Sequence, residues 1–425
     1  MGKSGLKIPI VELDWTKLKF PAYEKKSFNN GAQLYQIQSN KPGLSSFEIV
    51  FRNGRCTEHK KLSSRMAANQ LQEGTAILSS EQVADTVDYY GANLTIHSDL
   101  DFTVISMSCL QKHFEFLVGF ITNLILNPAY RESDLAKAKL FLKSQLHHQL
   151  TEPDYVSYRE FTSLIYGSSS IYGYNTNQHL IDDLQREDLL KYQQENYVAD
   201  FMYVFYCGDI KPAIEGFLEQ IILQFRNLNA NKSIVFPNIY CPAEQKHFSI
   251  ENCAQISLKM GLRWHQKIHP DFYGMYVLNT ILGDYFGSRL MKNIREDKGY
   301  TYDIHAALDA QVYDGCFYIS AELNPEQAED AILLIKGEIK RIQTELIPDE
   351  ELNLVKNYLC GNIMRMMDGP FQTMVFLKVL VTEYGSPESF HKLLEEILNV
   401  QPNNLKNLAE KYLRIEEMSQ VTAGA

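Results

Sequence analysis

The sequence predicts an α+β chain made of two homologous α/β halves in tandem, and three observations lead there. Strand-like segments of period two interleave with helix-like stretches, and the same order of signals is written twice. In addition, 45% hydrophobic and 22% charged residues over 425 positions supply a large core, so the chain needs no disulfide staples to fold.

In chain order, residues 47–51 alternate as a half-buried strand, and a helix-like segment follows as far as Gly74. Ile96 and His97 beyond Gly91, and then residues 103–108, read as further strands. Residues 116–126 are the longest apolar run; Gly119, Thr122 and Asn123 break it and it is too short to cross a bilayer, so it reads as a buried helix. Leu135, Ala138, Leu142, Leu146 and Leu150 form a helical stripe that resumes after Pro153. The second half restates this order. Residues 256–260 and Gly283 stand 209 positions after residues 47–51 and Gly74, while Gly299, Ile304 and His305 stand 208 after Gly91, Ile96 and His97. Glu351, Leu352, Lys356 and Leu359 follow Asp134, Leu135, Lys139 and Leu142 at 217, and Tyr384 and Gly385 follow Tyr166 and Gly167 at 218. Residues 316–321 alternate as residues 103–108 do. Between the halves, residues 226–233 are polar and Pro237 and Pro242 add turn chemistry, which divides the chain into domains 1–228 and 229–425.

A net charge of −11, from 41 basic and 52 acidic residues, argues against a nucleic-acid partner. The seven cysteines are scattered and never form CxxC, so neither a disulfide framework nor a cysteine zinc site is indicated and a reducing compartment fits. No apolar signal core follows Met1 and no segment reads as a membrane span, so the expected location is the cytoplasm, with the periplasm as the alternative had a signal been removed.

The eleven histidines do not form a metal signature: there is no HExxH, and His147 and His148 would point about 100° apart on a helix. His265 and His269 are four apart, but His269 precedes Pro270, which disfavours helix there. GxSxG, Walker and GxGxxG motifs are absent. The segment 283–302 stands out instead. Gly283 and Gly287 permit tight backbone, Ser288 can cap a following helix, and Gly299 can end it in a left-handed conformation. Arg295 falls late in that helix, and Tyr302 falls in the next strand on the face of Tyr300 and Ile304. Two readings stand side by side: a cation and a phenol donating to a carbonyl or oxyanion, with loop N–H groups nearby, or a capped loop carrying a surface salt bridge and a half-buried tyrosine.

These residues resemble the insulinase/pitrilysin family of metallopeptidases, in particular its two-subunit, processing-peptidase type. Gly287, Ser288, Arg289 and Leu290, then Arg295, Glu296, Gly299 and Tyr302, reproduce the family pattern G-S-R-L-x-x-x-x-R-E-x-x-G-x-x-Y. The resemblance implies two α/β domains in tandem, each a mainly antiparallel sheet covered by helices, in a clam-like arrangement. It also implies a zinc motif HxxEH ahead of a G-T pair, with a glutamate ligand about seventy-six residues onward. Anchoring on Gly74 and Thr75 sets Arg65, Ala68 and Asn69 over that motif and Gln145 over the glutamate, so none of the zinc groups is retained and no metal is expected in this chain. The resemblance thus implies a non-zinc-binding subunit, inactive alone. Arg295 and Tyr302 would serve catalysis and Gly283, Gly287 and Ser288 would touch an unfolded peptide, while zinc belongs to a homologous HxxEH partner. The alternative is an inert scaffold protein of the same fold.

Overall fold

A computed structural model describes residues 14–41, 43–228 and 240–425 of the chain. The opening residues read above for a signal, and residues 229–233 and Pro237 of the dividing segment, lie outside the described residues.

The alternating segments become two sheets. The first contains β1 (Glu24–Ser27), β2 (Gln33–Gln38), β3 (Leu44–Phe51), β4 (Asn93–Ser98), β5 (Thr103–Leu110) and β6 (Met202–Gly208), in the order β1-β2-β6-β3-β5-β4. The second contains β7 (Gln245–Ser249), β8 (Ile256–Trp264), β9 (Ile304–Ala310), β10 (Gly315–Leu323) and β11 (Ser419–Gly424), in the order β7-β11-β8-β10-β9. Both are mainly antiparallel. Each has one parallel pair at the same place, β2 with β6 and β7 with β11. Apart from β1 the two orders are identical, so the repeat in the sequence is a repeat of topology. Its glycines explain themselves in part: Gly91 and Gly299 have φ of 59° and 68°, and Gly167 and Gly385 have φ of 86° and 84°, a region where a side chain is disfavoured.

Helices of the first half are α1 (Ser63–Asn69), α2 (Ser80–Tyr89), α3 (Phe114–Leu126), α4 (Glu132–Gln149), α5 (Pro153–Tyr166), α6 (Gln178–Asp182), α7 (Arg186–Asn196) and α8 (Pro212–Ile222). Those of the second are α9 (Phe272–Gly283), α10 (Ala328–Thr344), α11 (Asp349–Arg365), α12 (Pro370–Thr382), α13 (Ser389–Asn399) and α14 (Pro402–Tyr412). The apolar run becomes α3, burying Leu117, Val118, Ile121, Leu124 and Ile125. The stripe on α4 buries Leu135, Leu142 and Leu146, whereas Leu150 lies past the helix end and is 41% exposed. No helix among the described residues is long and apolar enough to cross a membrane, and all seven cysteines are free.

Strand side chains alternate between two cores. Phe47, Ile49 and Phe51 of β3, with Met202, Val204 and Tyr206 of β6, face a core shared with α1, α3, α4, α7 and α8. Val50 of β3, with Phe205 and Cys207 of β6, faces the other way onto Met374, Leu377 and Val381 of α12, a helix from the second half. The second sheet reciprocates: α5, from the first half, sets Phe161, Ile165 and Tyr166 against Cys316 of β10 and Val421 of β11. Each half therefore lends the other one helix. An ion pair with one buried member, Glu48 in the first and Lys259 in the second, accompanies each exchange. Lys378 of α12 reaches Glu48 of β3 at 2.5 Å, and Asp154 of α5 pairs with Lys259 of β8, which also donates to Ser320 at 2.8 Å. Tyr158 to Asp309 at 2.9 Å and Val312 N–H to Asp101 at 3.0 Å tie the halves further.

Candidate functional site

Two places carry the residues singled out in the sequence. The first lies on α1 and α4. α1 packs against β4, the open edge of the first sheet, and the four positions set over the zinc motif fall here. Arg65 on α1 donates an Nη2–H to Oε1 of Gln145 on α4 at 3.2 Å. Both residues, with Asn69, line a cavity of about 330 Å³. Ala68 is fully buried. The residue count from Gly74 thus arrives at groups that meet in space. Their chemistry does not suit zinc: a guanidinium, a methyl and two amides offer neither imidazole nor carboxylate, and the guanidinium repels a cation. Burial pushes the Arg65 pKa below its ordinary value, with the Arg55 charge acting in the same direction. Among the described residues no three His, Cys, Asp or Glu side chains gather as a metal site. His265 and His269 stack face to face, centroids 4.0 Å apart. His147 and His148 are both exposed at the end of α4.

The second place is the segment 283–302. Gly283 lies in the last turn of α9 and is buried; a Cβ there would come within 2.4 Å of the Ala306 nitrogen on β9, so the glycine lets helix and strand approach closely. Gly287 is exposed in the loop that follows. Ser288 does not cap. Its Oγ is buried without a hydrogen-bond partner, and its backbone oxygen accepts from Lys292 N–H at 2.9 Å. Arg289 anchors the loop through a bidentate pair with Glu351 of α11, at 2.8 and 2.7 Å, which also raises the pKa of Arg289.

The expected α-helix after Ser288 is instead a π-helix, Met291–Asp297, a rare form that occurs often at functional sites. Arg295 sits in it, with its guanidinium 5.1 Å from the ring centroid of Phe286, itself 65% exposed. Gly299 ends the segment with φ of 68° and donates to the Arg295 carbonyl at 3.1 Å. Tyr302 is not in the strand. β9 begins at Ile304, because the Thr301 hydroxyl bonds the carbonyls of Asp303 and Glu322 at 2.7 and 2.6 Å and turns the chain first. Tyr302 is consequently 88% exposed, while Ile304 is fully buried and Tyr300 is tied to Asp330 at 2.8 Å. Arg295 and Tyr302 thus flank the Gly299 turn, and among the described residues neither makes a side-chain hydrogen bond or an ion pair. Residue spacing in the sequence did not reveal the Phe286 platform or the Arg289–Glu351 anchor; the latter joins positions 62 apart.

Residues 183–359, from the end of α6 into α11, match the family described as peptidase M16 inactive domain. A Bacillus subtilis protein named uncharacterized zinc protease YmxG is 20% identical over 378 residues, covering 87% of this chain and 90% of its own. A Helicobacter pylori protein named non-peptidase homolog YmxG is 19% identical over 390 residues, covering 88% of each. Among solved structures, a peptidase M16 inactive domain from Pseudomonas fluorescens superposes with a TM-score of 0.84 at 19% identity, covering 95% of this chain and 98% of that one.

Proposed function

We propose, because residues 183–359 match the peptidase M16 inactive domain and the whole chain shares the fold of a solved M16 inactive-domain structure, that this chain is the non-catalytic subunit of a heterodimeric peptidase. A homologous partner carrying HxxEH would hold the zinc and hydrolyse unfolded peptide. The observation that carries the reading is the meeting of Arg65 and Gln145 where the family's metal groups belong, beside a second segment whose donors remain free. The two repeats are taken as residues 1–228 and 229–425.

Within that reading Arg295 and Tyr302 donate to the substrate carbonyl and to the negative charge that develops on it. Both side chains offer N–H or O–H groups with no competing hydrogen bond among the described residues, and Phe286 gives the guanidinium a platform. The Gly287 loop presents backbone to the peptide. Gly283 and Ser288 act through the shape of that loop, since both are buried.

The experiment is reconstitution. The purified chain alone is expected to cleave no unfolded peptide and to contain no stoichiometric zinc by metal analysis, and addition of the HxxEH partner restores cleavage. Arg295→Ala or Tyr302→Phe then lowers turnover of the pair by about 100- to 1000-fold, as loss of an oxyanion donor does, and leaves assembly intact. Zinc-dependent turnover by this chain alone would overturn the assignment; unchanged turnover in both variants would make the two residues structural.

A further inference from the structure

We propose that the cavity at one end of the first sheet, where β2, β5 and β6 stop and β3 begins, is a binding site for a small organic phosphate monoester. Its volume is about 630 Å³, and it shares no lining residue with the Arg65 cavity or with segment 283–302, so the proposal goes beyond the heterodimer reading. Three observations support it. Lys41, Lys112 and Lys211 line it against a single carboxylate, Asp209, which Lys211 holds at 2.7 Å. Lys41 and Lys112 have no ion pair among the described residues, and the chain's net charge is −11, so the cavity is a local positive spot on an acidic molecule. Second, the Gln111 amide is oriented by the hydroxyls of Ser45 and Tyr206, both fully buried, which donate to its Oε1, the latter at 3.1 Å. Its Nε2–H groups are left without a hydrogen-bond partner among the described residues, on a side chain that lines the cavity. Third, Ser39, 6% exposed on the same wall, accepts from the Lys41 N–H at 3.1 Å, and its own O–H donates to no group among the described residues.

Two unopposed ammonium groups, an amide N–H pair and a hydroxyl are all donors, so the ligand is an acceptor and an anion. The number of donors narrows the class. A carboxylate brings one charge and two oxygens and leaves part of this set unused. A phosphate monoester brings three acceptor oxygens and, above its second pKa of about 6, close to two charges, which match Lys41 and Lys112. Leu110, 45% exposed, is the apolar side chain among the lining residues and gives the organic group a wall. One leucine is too little apolar surface to insert into a bilayer, which favours a soluble ester over the same phosphate on a lipid headgroup.

The test is isothermal titration calorimetry of the full chain alone with phenyl phosphate and with phenyl sulfate, a monoanion of the same shape, well above the phosphate's second pKa of about 6. Phenyl phosphate is expected to bind at one site about tenfold more tightly than the sulfate, the scale of one charge-assisted hydrogen bond. Gln111→Glu keeps an oxygen for the Ser45 and Tyr206 hydroxyls but sets a negative charge where the N–H groups were, and abolishes binding. Asp209→Asn frees Lys211 and tightens binding, a gain that misfolding does not produce. Equal affinity for the two probes, including no binding of either, or binding that survives in Gln111→Glu, overturns the proposal. Flotation of the chain with phosphatidylcholine vesicles containing phosphatidic acid, without binding of phenyl phosphate, overturns it in favour of a lipid headgroup. Because no turnover is read, these outcomes are independent of those of reconstitution.

Discussion

At the scale of single residues, the same glycine signal has two different physical causes. Gly299 is required by a positive φ, whereas Gly283 is required by contact, its hydrogen facing the Ala306 backbone where no methyl fits. Gly283→Ala is therefore expected to cost about 1–3 kcal/mol, the usual range for overpacking a close contact, read as a lower urea midpoint with an unchanged slope. An unchanged midpoint would mean that α9 and β9 separate freely. Arg65 carries the other residue-scale lesson: a guanidinium on α1 supplies no zinc ligand, repels a cation and donates to Gln145 instead.

At the scale of elements, the π-helix shapes the candidate site and the exchanged helices join the two halves. The wider π turn, Met291–Asp297, is bounded by the Arg289–Glu351 anchor and the left-handed Gly299, and it presents Arg295 over Phe286. The exchanged helices are specified by charge as well as by shape. In one pair β3 supplies the anion and α12 the cation; in the other β8 supplies the cation and α5 the anion. Lys378→Met leaves Glu48, whose side chain is 6% exposed, without its counter-ion and is expected to cost about 3–5 kcal/mol by denaturant unfolding. Adding Glu48→Gln to that variant should recover most of the loss. No loss in the single variant would show that the pair is dispensable.

At the scale of the molecule, the exchange makes two sequence repeats into one interdependent body. Without α12, the face of the first sheet bearing Tyr35, Val50 and Phe205 has no cover, and without α5 the second sheet exposes Cys316 and Val421. Fragments 1–228 and 229–425 made separately are expected to lack a cooperative unfolding transition by circular dichroism, and to regain one when co-expressed. A sharp transition in either fragment alone would show that the borrowed helix is ornamental to its stability. Joining the halves in this way also holds the Arg65 cavity and the Arg295 segment in one body, although they belong to different repeats.

The sequence by itself determined the two-fold recurrence, the mixed α+β class, the alternating strands around Ile49 and Phe317 and the absence of imidazole and carboxylate at Arg65, Ala68 and Asn69. Each of these depends on residue type and short spacing, which backbone periodicity and ligand chemistry read directly. Only the tertiary structure decided which helix covers which sheet, that Arg65 meets Gln145 from 80 residues away, that Ser288 faces inward and that Tyr302 leaves the strand. Those outcomes rest on contacts between distant segments, where packing of whole faces and the competition of one threonine hydroxyl for backbone carbonyls outweigh local propensity.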